Sequence, residues 1–197
     1  MGPSGAGKTS LGIQFLSVCS AQEPGLYFGF HESPQRAISK ARSLGQDFAA
    51  LQAAGALHIV WTPASAGLVD RVCYDLLDRV ERLQIERVFI DSLNALSRAT
   101  ADHGRVLDVL DTLLGELRAR GVTVMAAWEA HRLFDGQAST PAPDVAGVVD
   151  NLLLVQFVQH RTELHRQISI LRIRDNAYDP SPLEVVMSNA GITMKKV

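Results

Sequence analysis

The chain has only two cysteines in 197 residues, Cys19 and Cys73. Two thiols make no disulfide framework and match no metal-ligand spacing. They read as small buried apolar residues in a reducing compartment, so the expected location is cytoplasmic. Neither sign of charge is in surplus. A net charge of −2 gives no electrostatic reason to expect nucleic acid or an anionic membrane as a partner. No apolar run approaches the roughly 20 residues that a membrane-spanning helix needs. The histidines are scattered. His160 and His165 flank an expected hairpin turn with no Cys or carboxylate cluster beside them, so a metal centre there is not expected. Internal repeats and low-complexity tracts are missing as well. What remains is a globular composition, 47% hydrophobic and 20% charged, of a length suited to one domain.

Against this plain background one segment stands out. Gly2 to Thr9 read GPSGAGKT, a complete G-x-x-x-x-G-K-[ST] phosphate-binding loop. Its glycines let the backbone wrap so that successive N–H groups of Gly2, Ser4, Gly5, Ala6 and Gly7 and their neighbours surround phosphates, while Pro3, which has no N–H, supplies shape. Lys8 reaches the β- and γ-phosphates, and the Thr9 hydroxyl sits on Mg²⁺. The helix opening at about Thr9 and Ser10 adds its positive end. Such a loop normally follows a buried central strand, and only Met1 precedes it here. The expectation is therefore a single domain, 1–197, truncated at its N-terminus and lacking the strand that anchors the loop. These residues alone are expected to fold poorly or to bind ATP weakly.

Strand and helix patterns alternate along the first two thirds. Helical spacing is expected from Thr9 to about Cys19, from Pro34 after the Ser33 cap to a stop at Gly45, over Asp47–Ala54, over Leu68–Leu83 and over Arg105–Arg120. Strands are expected at Leu26–Phe30, Leu57–Trp61, Arg87–Asp91 and Val122–Trp128. This order predicts an α/β fold, a mainly parallel sheet flanked by helices. The last third reads as strands at Leu152–Val158, Gln167–Arg174 and Leu183–Met187, with a last short strand after Gly191, so the sheet is expected to end in antiparallel hairpins. Leu133 to Val145, rich in Pro, Ser, Thr and Gly, reads as an exposed connection.

Four further positions bear on chemistry. Arg87-Val88-Phe89-Ile90-Asp91 is a buried strand ending in an acid, and ligands of α/β sheets sit at that end. Asp91 is therefore expected to hold Mg²⁺ opposite Thr9. The strand before His31 and Glu32 delivers them to the same edge. Glu32 can serve there as the general base toward a water, or simply sit in the first turn of a helix whose dipole favours it. Arg172 and Arg174 lie two apart on a strand and project from one face. They form either an exposed basic face or a pair of guanidinium groups offered to a neighbouring subunit's phosphates. Glu129, after the apolar strand, is either a γ-phosphate sensor or an ordinary strand-end acid.

Taken in order, GPSGAGKT, LYFGFHESPQRAISKARSLG, RVFIDSLNAL, VDNLLLVQF and ISILRIRDNAYD resemble the KaiC-like ATPases of the RecA superfamily. The resemblance covers essentially the whole chain and is most specific between Phe30 and Gly45. It implies a RecA-like P-loop NTPase core, ATP and Mg²⁺ as cofactors, and a homo-oligomeric ring, a hexamer in most members, with ATP between neighbours. It implies a C-terminal domain of a tandem protein. The family's tandem glutamates fall at His31 and Glu32, of which only the second is kept, and this favours Glu32 as the base. The family's Lys-x-Arg that reaches across the subunit boundary falls on Arg172 and Arg174, and arginine for lysine replaces a point charge with a planar fork. A histidine often found just beyond falls at Tyr178. The Ser-Thr pair that clock members autophosphorylate falls at Ala146 and Gly147, so phosphorylation at that site is excluded, while transfer to a hydroxyl elsewhere stays open.

Three functions compete. The leading one is slow Mg-dependent ATP hydrolysis at subunit interfaces, coupled to assembly or to a signalling protein partner. A RecA- or RadA-like DNA-dependent ATPase needs basic loops lining a channel. The segment from Leu133 to Val145 carries two aspartates and no Lys or Arg, with Arg132 just before it, which disfavours nucleic acid. A nucleotide-binding scaffold without useful turnover is the third, motivated by His31.

Overall fold

The computed structural model describes residues 1–63, 69–98, 103–130 and 147–196. The exposed connection expected at Leu133 to Val145, with Arg132 and Ala146, lies outside them.

Four strands form a parallel sheet in the order β2-β1-β3-β4, comprising β1 (Gly25–Gly29), β2 (Leu57–Trp61), β3 (Arg87–Asp91) and β4 (Thr123–Ala126). Its two central strands alternate between two cores, as a pleated strand covered on both faces must. Leu26, Phe28, Val88 and Ile90 pack on one face with Leu76, Val80, Leu110 and Leu117. These last come from α4 (Val69–Arg82) and α6 (His103–Ala119). Tyr27 and Phe89 point to the other face, against Ile13, Leu16, Ala37, Ala41 and Phe48, from α1 (Lys8–Leu16), α2 (Pro34–Ser43) and α3 (Phe48–Ala53). The helix starts follow local chemistry. Ser33 accepts a hydrogen bond from the Arg36 amide with Pro34 at the first helical position, and Asp47 caps α3 through the Ala50 amide.

The second sheet is antiparallel, β5-β6-β7-β8, made of β5 (Asn151–His160), β6 (Glu163–Ile173), β7 (Leu183–Ser188) and β8 (Gly191–Lys196). The mixed α/β architecture, parallel core followed by antiparallel strands, is the expected one.

Three details differ from the sequence reading. A five-residue helix, α5 (Asn94–Arg98), follows β3, and a segment that short carries no periodic signal. The expected strand Val122–Trp128 pairs with β3 only over Thr123–Ala126. The β5–β6 hairpin is longer than expected and turns at Arg161, whose φ is +57°.

The two sheets meet at Met1 and Gly2. The Gly2 amide donates to Trp128 O (3.1 Å) and Ala130 N donates to Gly2 O (3.0 Å). On the other side Val155 N donates to Met1 O (2.8 Å), and the Met1 ammonium donates to Leu153 O (2.7 Å). This two-residue stretch is thus paired as a strand on both sides. Beyond it a cleft of about 460 Å³ runs between β4 and β5, lined by apolar residues including Leu11, Phe89, Val124, Ala126, Leu153 and Val155.

Candidate functional site

Gly2 to Thr9 lead straight from this seam into α1. Gly7 is the residue before the helix, with φ +105°, and a Cβ there would come within 2.0 Å of Met187 Cε on β7. The left-handed backbone is what favours glycine at that position, since the flexible end of Met187 could swing aside for a Cβ. The first amides of α1, from Lys8 to Ser10, have no acceptor within their own helix and carry its positive end.

The loop opens on a hollow of about 280 Å³. Ser4, Gly5, Gly7, Lys8, Thr9 and Ser10 form one wall. His31, Glu32, Asp91 and Glu129 face it, with Ser92 and Lys40. Most of the predicted site thus converges on one space. Asp91 arrives from β3, Glu32 from the turn after β1, and Glu129 from the stretch after β4.

Lys8 donates from Nζ to Gly2 O (2.8 Å) and Pro3 O (2.7 Å), curling over the loop it belongs to. Burial pushes its pKa below the ordinary lysine value, while the Glu129 and Asp91 carboxylates oppose that shift. The Tyr27 hydroxyl donates to Asp91 Oδ2 (2.8 Å). Tyr27 is pushed strongly upward, by burial first and then by the Asp91 charge and hydrogen bond, so it remains a neutral donor. Asn94 clamps the Glu129 backbone, donating to its carbonyl (3.1 Å) and accepting from its amide (2.5 Å). Lys40 Nζ lies 3.0 Å from Glu32 Oε1, while Glu32 Oε2 is buried with no hydrogen-bond partner. Tyr27, Asn94 and Lys40 were not singled out from sequence.

This is oxygen-rich ground for a hard cation, with the Thr9 hydroxyl and the Asp91 carboxylate on opposite walls. On the same wall as Thr9, Lys8 and the start of α1 suit phosphate.

Arg172 and Arg174 are not in this hollow. Arg172 is paired opposite Leu152. Arg174 Nη1 donates to Asp150 Oδ1 (2.6 Å), and Arg118 Nη2 donates to the other oxygen of the same carboxylate (2.7 Å). Tyr178 donates to Leu171 O (2.8 Å). His165 contacts Glu184 (2.6 Å) and Glu163 (3.4 Å).

The whole chain, residues 1–197, matches the sequence model of the family described as "ATPase: KaiC". The chain belongs to the KaiC ATPase family. It is similar to the circadian clock oscillator protein KaiC of Thermostichus vulcanus, 30% identical over 196 residues, which cover 98% of this chain and 37% of the relative. KaiC of Synechococcus elongatus is 28% identical with the same coverage. KaiC 1 of a Synechocystis strain is 28% identical over 192 residues, 96% of this chain and 36% of the relative. The chain therefore spans little more than a third of the KaiC relatives it matches, in keeping with one domain of a tandem protein. Membership in the KaiC family makes it a nucleotide-binding ATPase domain. Among the described residues no helix is long and apolar enough to cross a membrane.

Proposed function

We propose that this domain binds Mg-ATP in the 280 Å³ hollow and hydrolyses it slowly within a cytoplasmic homo-oligomeric ring, a hexamer, whose nucleotide state governs assembly or a signalling protein partner. The observation that carries the reading is the convergence of Lys8, Thr9, Asp91 and Glu32 on one space. The loop amides and Lys8 hold the phosphates. Thr9 and Asp91 hold Mg²⁺, which when bound neutralises charge on the β- and γ-phosphates. Glu32 takes the proton of the attacking water. Arg172 and Arg174, being outside their own chain's hollow, act on the phosphates of a neighbour.

The test is ATP turnover per subunit across a range of protein concentrations. Activity that rises and then saturates supports a site completed between subunits. No turnover at any concentration would leave the nucleotide as a structural or signalling ligand. Glu32→Gln should abolish hydrolysis and spare ATP binding. If it changes neither, the scaffold reading gains instead.

A further inference from the structure

We propose that Lys40 is a positioning residue that holds Glu32 back from the attacking water and so sets the low rate of turnover. The proposal rests on Glu32 as the base. Lys40 belongs to no phosphate-binding or metal motif. It stands on α2 beside the buried Ala37 and Ala41, and its side chain lines the same hollow as the phosphate loop and Glu32.

Both partners are partly exposed, 37% for Lys40 and 25% for Glu32. Ion pairs of this kind contribute little to folding, so stability is a poor account of the contact. Its effect on the carboxylate is direct. A general base must present a lone pair within hydrogen-bond reach of the water it deprotonates. Here Oε1 is committed to an ammonium at 3.0 Å, and Oε2 is enclosed without a partner. For hydrolysis, the water oxygen bonds to the γ-phosphorus while the bond to the β-phosphate oxygen breaks. ADP leaves with that electron pair, and the water's proton passes to Glu32. With Oε2 enclosed and the Lys40 ammonium on Oε1, the water competes for the remaining lone pair of Oε1, whose basicity the ammonium lowers, and opening the ion pair favours the transfer.

The experiment is steady-state ATP hydrolysis by the oligomeric protein carrying Lys40→Met, Lys40→Arg, and Lys40→Met combined with Glu32→Gln. Thermal melting and binding of a non-hydrolysable ATP analogue serve as folding controls. Lys40→Met should raise kcat by about three- to tenfold, a modest part of what a general base contributes, with KM within about twofold and Tm unchanged. Lys40→Arg should keep the slow rate, and the double variant should lose turnover. A fall or no change in kcat for Lys40→Met would overturn the proposal. So would a rise in KM alone, which would make Lys40 a nucleotide contact. If Lys40→Met does not fold, Lys40→Gln takes its place with the same outcomes. Turnover that survives Glu32→Gln in the otherwise unaltered protein identifies a different failure, that of the base assignment itself.

Discussion

At the residue scale, Tyr27 touches the candidate site through another residue, its hydroxyl donating to Asp91 Oδ2. Its hydroxyl meets Asp91 only because β1 and β3 pair in parallel, with Tyr27 opposite Phe89. Tyr27→Phe removes that donor and leaves an Asp91 oxygen without it. The expected result is a weakened Mg²⁺ dependence of ATP binding, seen as a two- to tenfold higher half-saturating Mg²⁺, or about 0.5–1.5 kcal/mol for one hydrogen bond. Isothermal titration at varied Mg²⁺ measures it. That Lys8, Thr9 and Asp91 share one hollow was legible, because the loop is one contiguous motif and an acid ending a buried strand reaches the same sheet edge, whereas Tyr27 is one more apolar position in a buried strand. A second effect belongs to Met1. Burial, then the Lys8 charge, lowers its ammonium from 8.0 to about 6. The folded state binds this proton less tightly than the unfolded chain, so between pH 8 and 6 the unfolded chain carries more of it. Stability of a polypeptide beginning at Met1 therefore falls as pH drops through that window, by at most ~2–3 kcal/mol. Denaturant unfolding at pH 6 and 8 reads the difference, and acetylating the amine should abolish it.

At the element scale, the parallel strands were readable because each is a short apolar run, β3 ending in an acid. Two of them, β2 and β3, match their expected bounds. Alpha-helix ends were readable where a cap is present, as at Ser33 and Asp47. The five-residue α5 was not, since one turn and a half shows no amphipathic period. The pairing of Met1 and Gly2 with both sheets was not readable either, because it is a relation between segments far apart in the chain. Gly2 runs parallel to the stretch at Glu129, and the cleft beyond it, bounded by β4 and β5, is mainly apolar with Lys8, Arg118 and Asp150 at its lining. An extended apolar segment fused ahead of Met1 is proposed to enter this cleft. The measurement is Tm, with ATP affinity beside it. Filling the cleft should raise Tm by on the order of 5 °C or more and tighten ATP binding. An alternating polar segment of equal length should do neither.

At the scale of the whole molecule, the arginines separate from the hollow that the rest of the site shares. A strand pattern can place Arg172 and Arg174 together on β6 and just beyond it, but only the assembled fold shows that Asp150 holds Arg174 together with Arg118. For Arg174 to reach a neighbouring subunit, that contact must open. Arg174→Ala should lower turnover by 10³-fold or more if it stabilises the transition state in the neighbour. Mixing Arg174→Ala with Glu32→Gln subunits should restore part of the activity, because each supplies what the other lacks. No restoration in mixed oligomers would place both functions in one chain. The phosphate loop itself has a wider role in the architecture. Ala6 and Leu11 share a small core with Val155, Ile168 and Val185 of the antiparallel sheet, and Met187 closes over Gly7. The far sheet thus packs against one side of a short piece of backbone whose other side opens on the hollow proposed for nucleotide. Any ligand of that sheet which shifts this packing changes ATP affinity by some factor, and thermodynamic reciprocity obliges ATP to change that ligand's affinity by the same factor.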